Sequence, residues 1–359
     1  MTDILDDLNA IENLDKGQSS LSIDYLADQC QSGWEEAKKI SLPMDYSQVK
    51  SVLFCGMGGS AYGARIIKSA FSDILKIPVD LVGDYHLPLY VDKEVLIITA
   101  SYSGGTEETI SCAKEAIRIG AKIIGISSGG ALCQILKDAG KPFYAFNPKF
   151  NPSNQPRLGQ GYMLMGQMGI LRKLDILQTE DSEVKEVIKF LRSNTVKFSV
   201  NTPSDENIAK KKARLYQNRI INIIGGEFLE GAIHAIRNPF HETGKHFANY
   251  FVLPELNHHL MEGLSYPAGN KENLLFLFID SDLYSDKIRK RVELTKEVVD
   301  KNDIPTDSIK LSSGTKIGQV FELIQLGSYT TFYLAMLHGI NPVLIPWVDY
   351  FKKQLSAKG

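Results

Sequence analysis

Cysteine is scarce in this sequence. Its 359 residues hold four, Cys30, Cys55, Cys112 and Cys133, with no CxxC pair and no finger-like spacing. Neither a disulfide framework nor a structural zinc module is expected. Cys55 closes an apolar run and Cys112 falls in a helical pattern, which predicts buried free thiols. Long hydrophobic runs are missing too, and none approaches the ~18 apolar residues of a membrane span. Charge of one sign is absent: 40 Lys and Arg stand against 42 Asp and Glu, a net charge of −2. That balance gives no electrostatic pull toward nucleic acid or anionic lipid, so neither is an expected partner. A small or anionic ligand has to be held by local geometry. The opening MTDILDDLNAIENLD is acidic and lacks the apolar core of a signal peptide, so the cytoplasm is the expected compartment. What is present is ordinary globular composition, 43% hydrophobic and 23% charged, at a length suited to two domains.

Past a helical leader at 1–45, the chain alternates strand and helix patterns. Strands are predicted at 49–55, 78–82, 95–100, 122–127 and 143–146, with helices at 62–71, 106–119, 130–139 and 161–174. Such a βαβ series implies a parallel sheet covered on both faces. A polar stretch at 177–207 reads as a linker helix, and the alternation then restarts. Strands are predicted at 220–224, 249–252, 274–279 and 308–311, with a helix opening at 231–237, a long one at 320–337 and a short amphipathic one at 347–355. The expected organisation is therefore two α/β units, 46–176 and 208–359, each a doubly wound parallel sheet in a three-layer α/β/α sandwich.

Two turns carry the chemistry of the first unit. GMGGSAYG, residues 56–63, follows the first strand and opens a helix, which exposes backbone N–H groups and the positive end of a helix dipole to an anion. Its GxGxxA spacing also fits a dinucleotide pyrophosphate, with Asp80 or Asp84 near the place of a ribose-binding acid. SYSGGTEET, residues 101–109, shifts the balance toward a phosphate monoester. Ser101, Ser103 and Thr106 place three hydroxyls in six residues around Gly104 and Gly105. Each alone would be ordinary turn or capping chemistry. Together, at a strand's carboxyl end and beside a second Gly-rich turn, they predict a site made by Gly59, Ser60, Ser101, Ser103 and Thr106.

These two segments resemble the phosphate-binding loops of sugar isomerase (SIS) domains. With PRLGQGY, ELNHH and the C-terminal VDYFKKQL, nearly the whole chain resembles the bifunctional phosphoglucose/phosphomannose isomerases of archaea and bacteria. The resemblance implies two SIS domains. It also implies an aldose–ketose isomerase that interconverts glucose 6-phosphate, and mannose 6-phosphate, with fructose 6-phosphate through a cis-enediol. It places the proton-carrying base at Glu242, a ring-opening histidine at His258, a ring-opening lysine at Lys352 beside Lys353, and a guanidinium at the reacting carbons in Arg157. The family asparagines that flank the base are His241 and Thr243 here. The resemblance further implies a homodimer with His258 given across the interface, and no cofactor.

Taken alone, Glu242 reads as an exposed acid at a helix start, His258 as a structural histidine, Arg157 as a surface loop residue and Lys352 as a solvated charge. Five of the seven histidines fall between 234 and 259, and HETGKH approaches HExxH. His241 and His246 are five apart, however, and a helix turns that spacing onto different faces. No catalytic metal is expected. A dehydrogenase would leave SYSGGTEET and the Glu242 segment without a purpose. A non-catalytic sugar-phosphate sensor would bring a DNA-binding element, for which the acidic leader is too short.

Overall fold

The computed structural model describes residues 3–357. Two sheets organise the chain. β1 (Ser51–Gly56), β2 (Val79–Val82), β3 (Val95–Ala100), β4 (Lys122–Ser127) and β5 (Phe143–Ala145) lie in the order β2-β1-β3-β4-β5. β6 (Ile220–Gly226), β7 (Ala248–Leu253), β8 (Leu274–Asp280) and β9 (Thr306–Lys310) lie in the order β7-β6-β8-β9. Every pairing in both sheets is parallel. The reason is visible in β3, whose six residues VLIITA are all buried. A strand that is apolar on both faces needs cover on both, and helical crossovers supply it.

In each sheet the strand order reverses once, beside the first strand. The crevice in the first sheet opens between β1 and β3, and in the second between β6 and β8. Open α/β sheets bind ligands at such a switch point, beyond the carboxyl ends of the strands. Gly56 pairs with Ala100, so β1 and β3 end level and their following turns stand side by side.

Two helices form the centre. Gln160–Lys173 buries every residue from Gln160 to Leu171, and Lys316–Leu337 buries every residue from Ile317 to Met336. Helices covered on all sides in this way belong between layers, not on a surface. The leader is part of this core. Its helix Leu26–Ala37 crosses Gln160–Lys173 at small residues, and a Cβ on Gly161 would meet the Gln29 Cβ at 2.6 Å. Gln29 in turn fixes the loop ahead of that helix, with its Nε2 within 3.0 Å of the carbonyl oxygens of Phe150 and Leu158.

One further close crossing matters for the site. Helix Glu230–Glu242 of the second unit packs against helix Tyr62–Ala70 of the first. A Cβ on Gly231 would lie 2.5 Å from the Ile66 amide nitrogen, so the backbones touch there. Gly231 N donates to Ser69 Oγ at 3.1 Å. The start of one helix meets the end of the other, so the two run antiparallel. Glu242 is thereby carried toward Tyr62, next to the GMGGSA turn. The site forms where the carboxyl edge of the first sheet faces the amino edge of the second.

Several details differ from the sequence expectation. Helix Ile208–Tyr216 precedes β6 where the sequence pattern predicts none. β9 starts two residues and ends one residue nearer the N-terminus, because TDSIK is a polar edge strand with little alternation to set its bounds. Helix Lys316–Leu337 begins four residues before its apolar run, with Thr315 Oγ1 accepting from Gly318 N at 3.1 Å. Cys30, Cys55 and Cys112 are buried, but Cys133 is half-exposed. Among the described residues no helix is long and apolar enough to cross a membrane.

Candidate active site

Ser101 ends the buried run of β3 and is itself fully buried. Its hydroxyl is 2.8 Å from Thr106 Oγ1 and accepts from Gly104 N at 3.1 Å. Gly105 N donates to Ser103 Oγ at 3.3 Å. The turn depends on Gly104, which has φ +69° and a missing side chain whose Cβ would lie 1.9 Å from the Gly129 carbonyl oxygen. Thr106 occupies the N-cap position of helix Glu107–Arg118, as expected, yet its hydroxyl bonds to Ser101 and caps no N–H. The first N–H groups of that helix are thus left to face the crevice, where an anion would be held.

Ser60 ties this turn to its neighbour. Tyr102 N donates to Ser60 Oγ at 3.0 Å, and Gln167 Nε2 donates to the Ser60 carbonyl at 3.0 Å. Gly59 backs directly on the next loop, since a Cβ there would be 3.6 Å from the Arg157 Cα. The five residues expected of a phosphate site therefore lie on two turns that touch through Ser60 and Tyr102.

The matching turn of the second sheet carries a carboxylate in place of a bare glycine. Gly58, with φ +50°, opens the short helical turn after β1, and Glu227, with φ +46°, opens the matching turn after β6. A Cβ at Gly58 meets nothing within 4 Å, whereas the Glu227 carboxylate accepts from Ser285 N at 3.1 Å and from the Ser285 hydroxyl. The one architecture is used twice, with Gly58 bare in the first turn and Glu227 paired to Ser285 in the second.

Arg157 is not a surface residue. It is 3% exposed, and hydrogen bonds hold its guanidinium on every side but the Nη1 side that faces Glu242. Nε donates to Thr243 Oγ1 at 3.2 Å, and Nη1 donates to Gln155 Oε1 at 2.8 Å. Nη2 donates to the carbonyls of Pro342 and Val343 at 2.9 and 3.0 Å. Nη1 also lies 3.7 Å from Glu242 Oε2. Burial pulls the guanidinium down from its usual range, and the Glu242 charge opposes that pull. An arginine starts so high that it stays protonated.

Glu242 is the last residue of helix Glu230–Glu242, not the first of a helix. A carboxylate at the negative end of a helix dipole is unfavourable. Arg157 offsets it, and so does Lys245, whose Nζ donates to the Glu242 carbonyl at 2.6 Å. The substituted flanks also acquire a purpose. Thr243 anchors Arg157, and His241 Nε2 lies 2.8 Å from the Ala248 carbonyl oxygen, pinning the helix end to β7. His246 Nε2 is similarly engaged, with the Arg219 carbonyl oxygen. Burial pushes both imidazoles down. Burial, reinforced by the Glu242 charge, holds the Tyr62 phenol well above its ordinary value, so it stays a neutral donor beside the pair.

His258 is not brought to this place. β7 leads away from Glu242, and its six residues span roughly 17 Å before the turn that carries His258. His258 is exposed, and Lys352 is exposed on helix Pro346–Ala357. Lys245 and Gln155 escaped the sequence reading because neither lies on a periodic pattern, and Thr243 stands out there only as a substituted flank of the base.

Two parallel sheets, with hydroxyl-rich turns at the switch point and a buried guanidinium facing a half-exposed carboxylate beside them, define a protein of the sugar isomerase class. Residues 45–132 match the SIS domain, and residues 205–355 match the bacterial phospho-glucose isomerase C-terminal SIS domain. The chain is 30% identical over 344 residues to a bifunctional phosphoglucose/phosphomannose isomerase of Caldicellulosiruptor bescii, covering 93% of this chain and 98% of that protein. It is 30% identical over 309 residues to the protein of the same name in Thermoplasma acidophilum, covering 85% and 90%. The crystal structure of a hypothetical protein from Thermus thermophilus shares the fold, with a TM-score of 0.69 at 15% identity over 95% of this chain and 90% of that one. The chain belongs to the family of bifunctional phosphoglucose/phosphomannose isomerases.

Proposed function

We propose that this protein is an isomerase that interconverts glucose 6-phosphate and mannose 6-phosphate with fructose 6-phosphate through a cis-enediol. The observation that carries the reading is the Glu242–Arg157 pair, 3.7 Å apart, with Arg157 on the loop that Gly59 backs against. The phosphate sits among Gly59, Ser60, Ser101, Ser103 and Thr106. Neutral hydroxyl and N–H donors hold it without the grip of a fixed cation, which suits a product that must leave. Glu242 takes the C2 proton of the open-chain aldose and returns it to C1. As the proton leaves, negative charge develops on the O1 and O2 side, where the Arg157 guanidinium is already in place.

A coupled assay started with fructose 6-phosphate tests this directly. Both glucose 6-phosphate and mannose 6-phosphate are expected to form, and formation of neither would overturn the assignment. Replacing both Ser101 and Thr106 by Ala is expected to raise KM for fructose 6-phosphate about tenfold or more while kcat falls less, since each lost hydrogen bond to a charged ligand weakens ground and transition state alike. An unchanged KM would remove this turn from the site.

His258 acts on the site of a second copy, and Lys352 completes the ring-opening chemistry from the C-terminal helix. Supporting this is the helix itself, which leaves Trp347, Tyr350 and Phe351 82%, 60% and 64% exposed. Apolar side chains clustered like this mark a contact surface, and a homodimer covers them. Chains carrying His258→Ala and chains carrying Glu242→Gln are each expected to be nearly inactive. Unfolded and refolded together, they are expected to recover about a quarter of wild-type activity, from mixed dimers that hold one intact site. No recovery, with mixed dimers present, would place His258 in its own chain's site.

A further inference from the structure

We infer that Lys245 is a positioning residue for the isomerase reaction, its ammonium tying the end of the Glu242 helix to the loop that anchors Arg157. The inference rests on Glu242 being the base.

The geometry is a closed set of contacts around one oxygen. Lys245 Nζ donates to the Glu242 carbonyl at 2.6 Å and to the Pro342 carbonyl at 2.9 Å. Arg157 Nη2 donates to that same Pro342 oxygen, also at 2.9 Å. Two cations thus share one acceptor, and the first of them also grips the carbonyl of the residue that faces the second. Thr243, between Glu242 and Lys245, receives Arg157 Nε. Residues 242 and 243 therefore face the guanidinium directly, and Lys245 is joined to it through the shared Pro342 oxygen.

The backbone favours a use for this side chain. Lys245 has φ +50°, a region where glycine or asparagine sits at less cost. A carbonyl at a helix C-terminus lacks an intrahelical donor, and a cation there offsets both the dipole and the Glu242 carboxylate.

The surroundings decide how Lys245 titrates. Glu242 faces it from its own segment and Arg157 from the loop before helix Gln160–Lys173. His241 and His246 flank it, and His338, at the end of helix Lys316–Leu337, holds the Gly244 carbonyl oxygen at 3.0 Å and stacks on His246. Lys245, His241 and His246 share a cavity of about 700 Å³ with Trp347. Burial, then Arg157, pull the Lys245 ammonium down to about 8, against the opposing Glu242 charge. Below that pH the lysine is charged. Above it, the neutral amine keeps two N–H groups for the carbonyls but loses the charge that offsets the helix end.

The test is the pH profile of kcat for wild type, Lys245→Met and Lys245→Arg, with fructose 6-phosphate as substrate and thermal melting recorded alongside. Wild type is expected to lose activity above about pH 8. Lys245→Met is expected to lower kcat roughly tenfold at neutral pH, to lack that alkaline limb, and to leave KM within about twofold, because Lys245 lies off the phosphate turns. Lys245→Arg, charged at every working pH, is expected to recover most of the lost turnover and move the limb upward by more than about one pH unit. A wild-type limb and kcat in Lys245→Met would overturn the inference. Should Lys245→Met fail to fold, an unmoved limb in Lys245→Arg does so alone. Exchange of the substrate C2 proton in Glu242→Gln is scored separately, and its retention would displace the base without altering how the Lys245 profiles are read.

Discussion

Glu242→Gln is expected to lower kcat by about 10²- to 10⁴-fold with KM for fructose 6-phosphate little changed, the range that a positioned general base contributes. Glutamine keeps the shape of the side chain, and Arg157 keeps its hydrogen bonds to Thr243, Gln155, Pro342 and Val343, so the phosphate turns and the guanidinium remain in place. What it removes is the carboxylate base beside that guanidinium. Arg157 makes its ion pair with Glu242, and no other such partner of Arg157 exists among the described residues. The nearest competitor in sequence, Glu255, is exposed at the far end of β7 and faces His259 at 2.8 Å. Exchange of the substrate C2 proton with deuterated solvent, followed by proton NMR, is expected to vanish along with turnover. Near-normal exchange in the variant would show that another group moves the proton.

Arg157→Lys is expected to lower kcat by about 10²- to 10³-fold, although the charge is conserved. Loss of one donor aimed at a developing oxyanion has that scale of effect. The guanidinium is a planar fork that meets Thr243, Gln155, Pro342 and Val343 at once while facing Glu242. An ammonium is a point with three protons on a shorter reach, so it leaves buried acceptors without donors and the enediolate without its partner. The variant is also expected to melt at lower temperature, because unpaired buried polar groups cost about 1–3 kcal/mol each. Steady-state kinetics with a melting curve separates the two effects. A folded Arg157→Lys protein with wild-type kcat would remove the guanidinium from transition-state stabilisation.

Much of this arrangement is legible in the sequence alone. Residues 95–100 and 122–127 are apolar runs bounded by turn residues and joined by helical patterns, and only a parallel sheet with covered faces suits them. The turns GMGGSA and SYSGGT stand at the ends of β1 and β3 because parallel strands bring their carboxyl ends to one edge. Their hydroxyls and glycines already named the ligand chemistry. Residues on the same turn are close by covalent connection, so their spacing in sequence reports their spacing in space.

The Arg157–Glu242 pair is different in kind. Arg157 and Thr243 are 86 residues apart, and no periodicity relates them. They meet because helix Glu230–Glu242 lies antiparallel on helix Tyr62–Ala70 at the bare backbone of Gly231, and because Gln29 in the leader holds the loop that carries Arg157. Tertiary packing likewise set Glu242 at the end of its helix, drew Lys245 and Pro342 into the site, and sent His258 to the opposite edge of the second sheet. A residue pattern records which face of an element is buried, since that depends on the element's own period. Which other buried face it meets depends on shape complementarity between surfaces far apart in the chain, and that only the folded molecule decides.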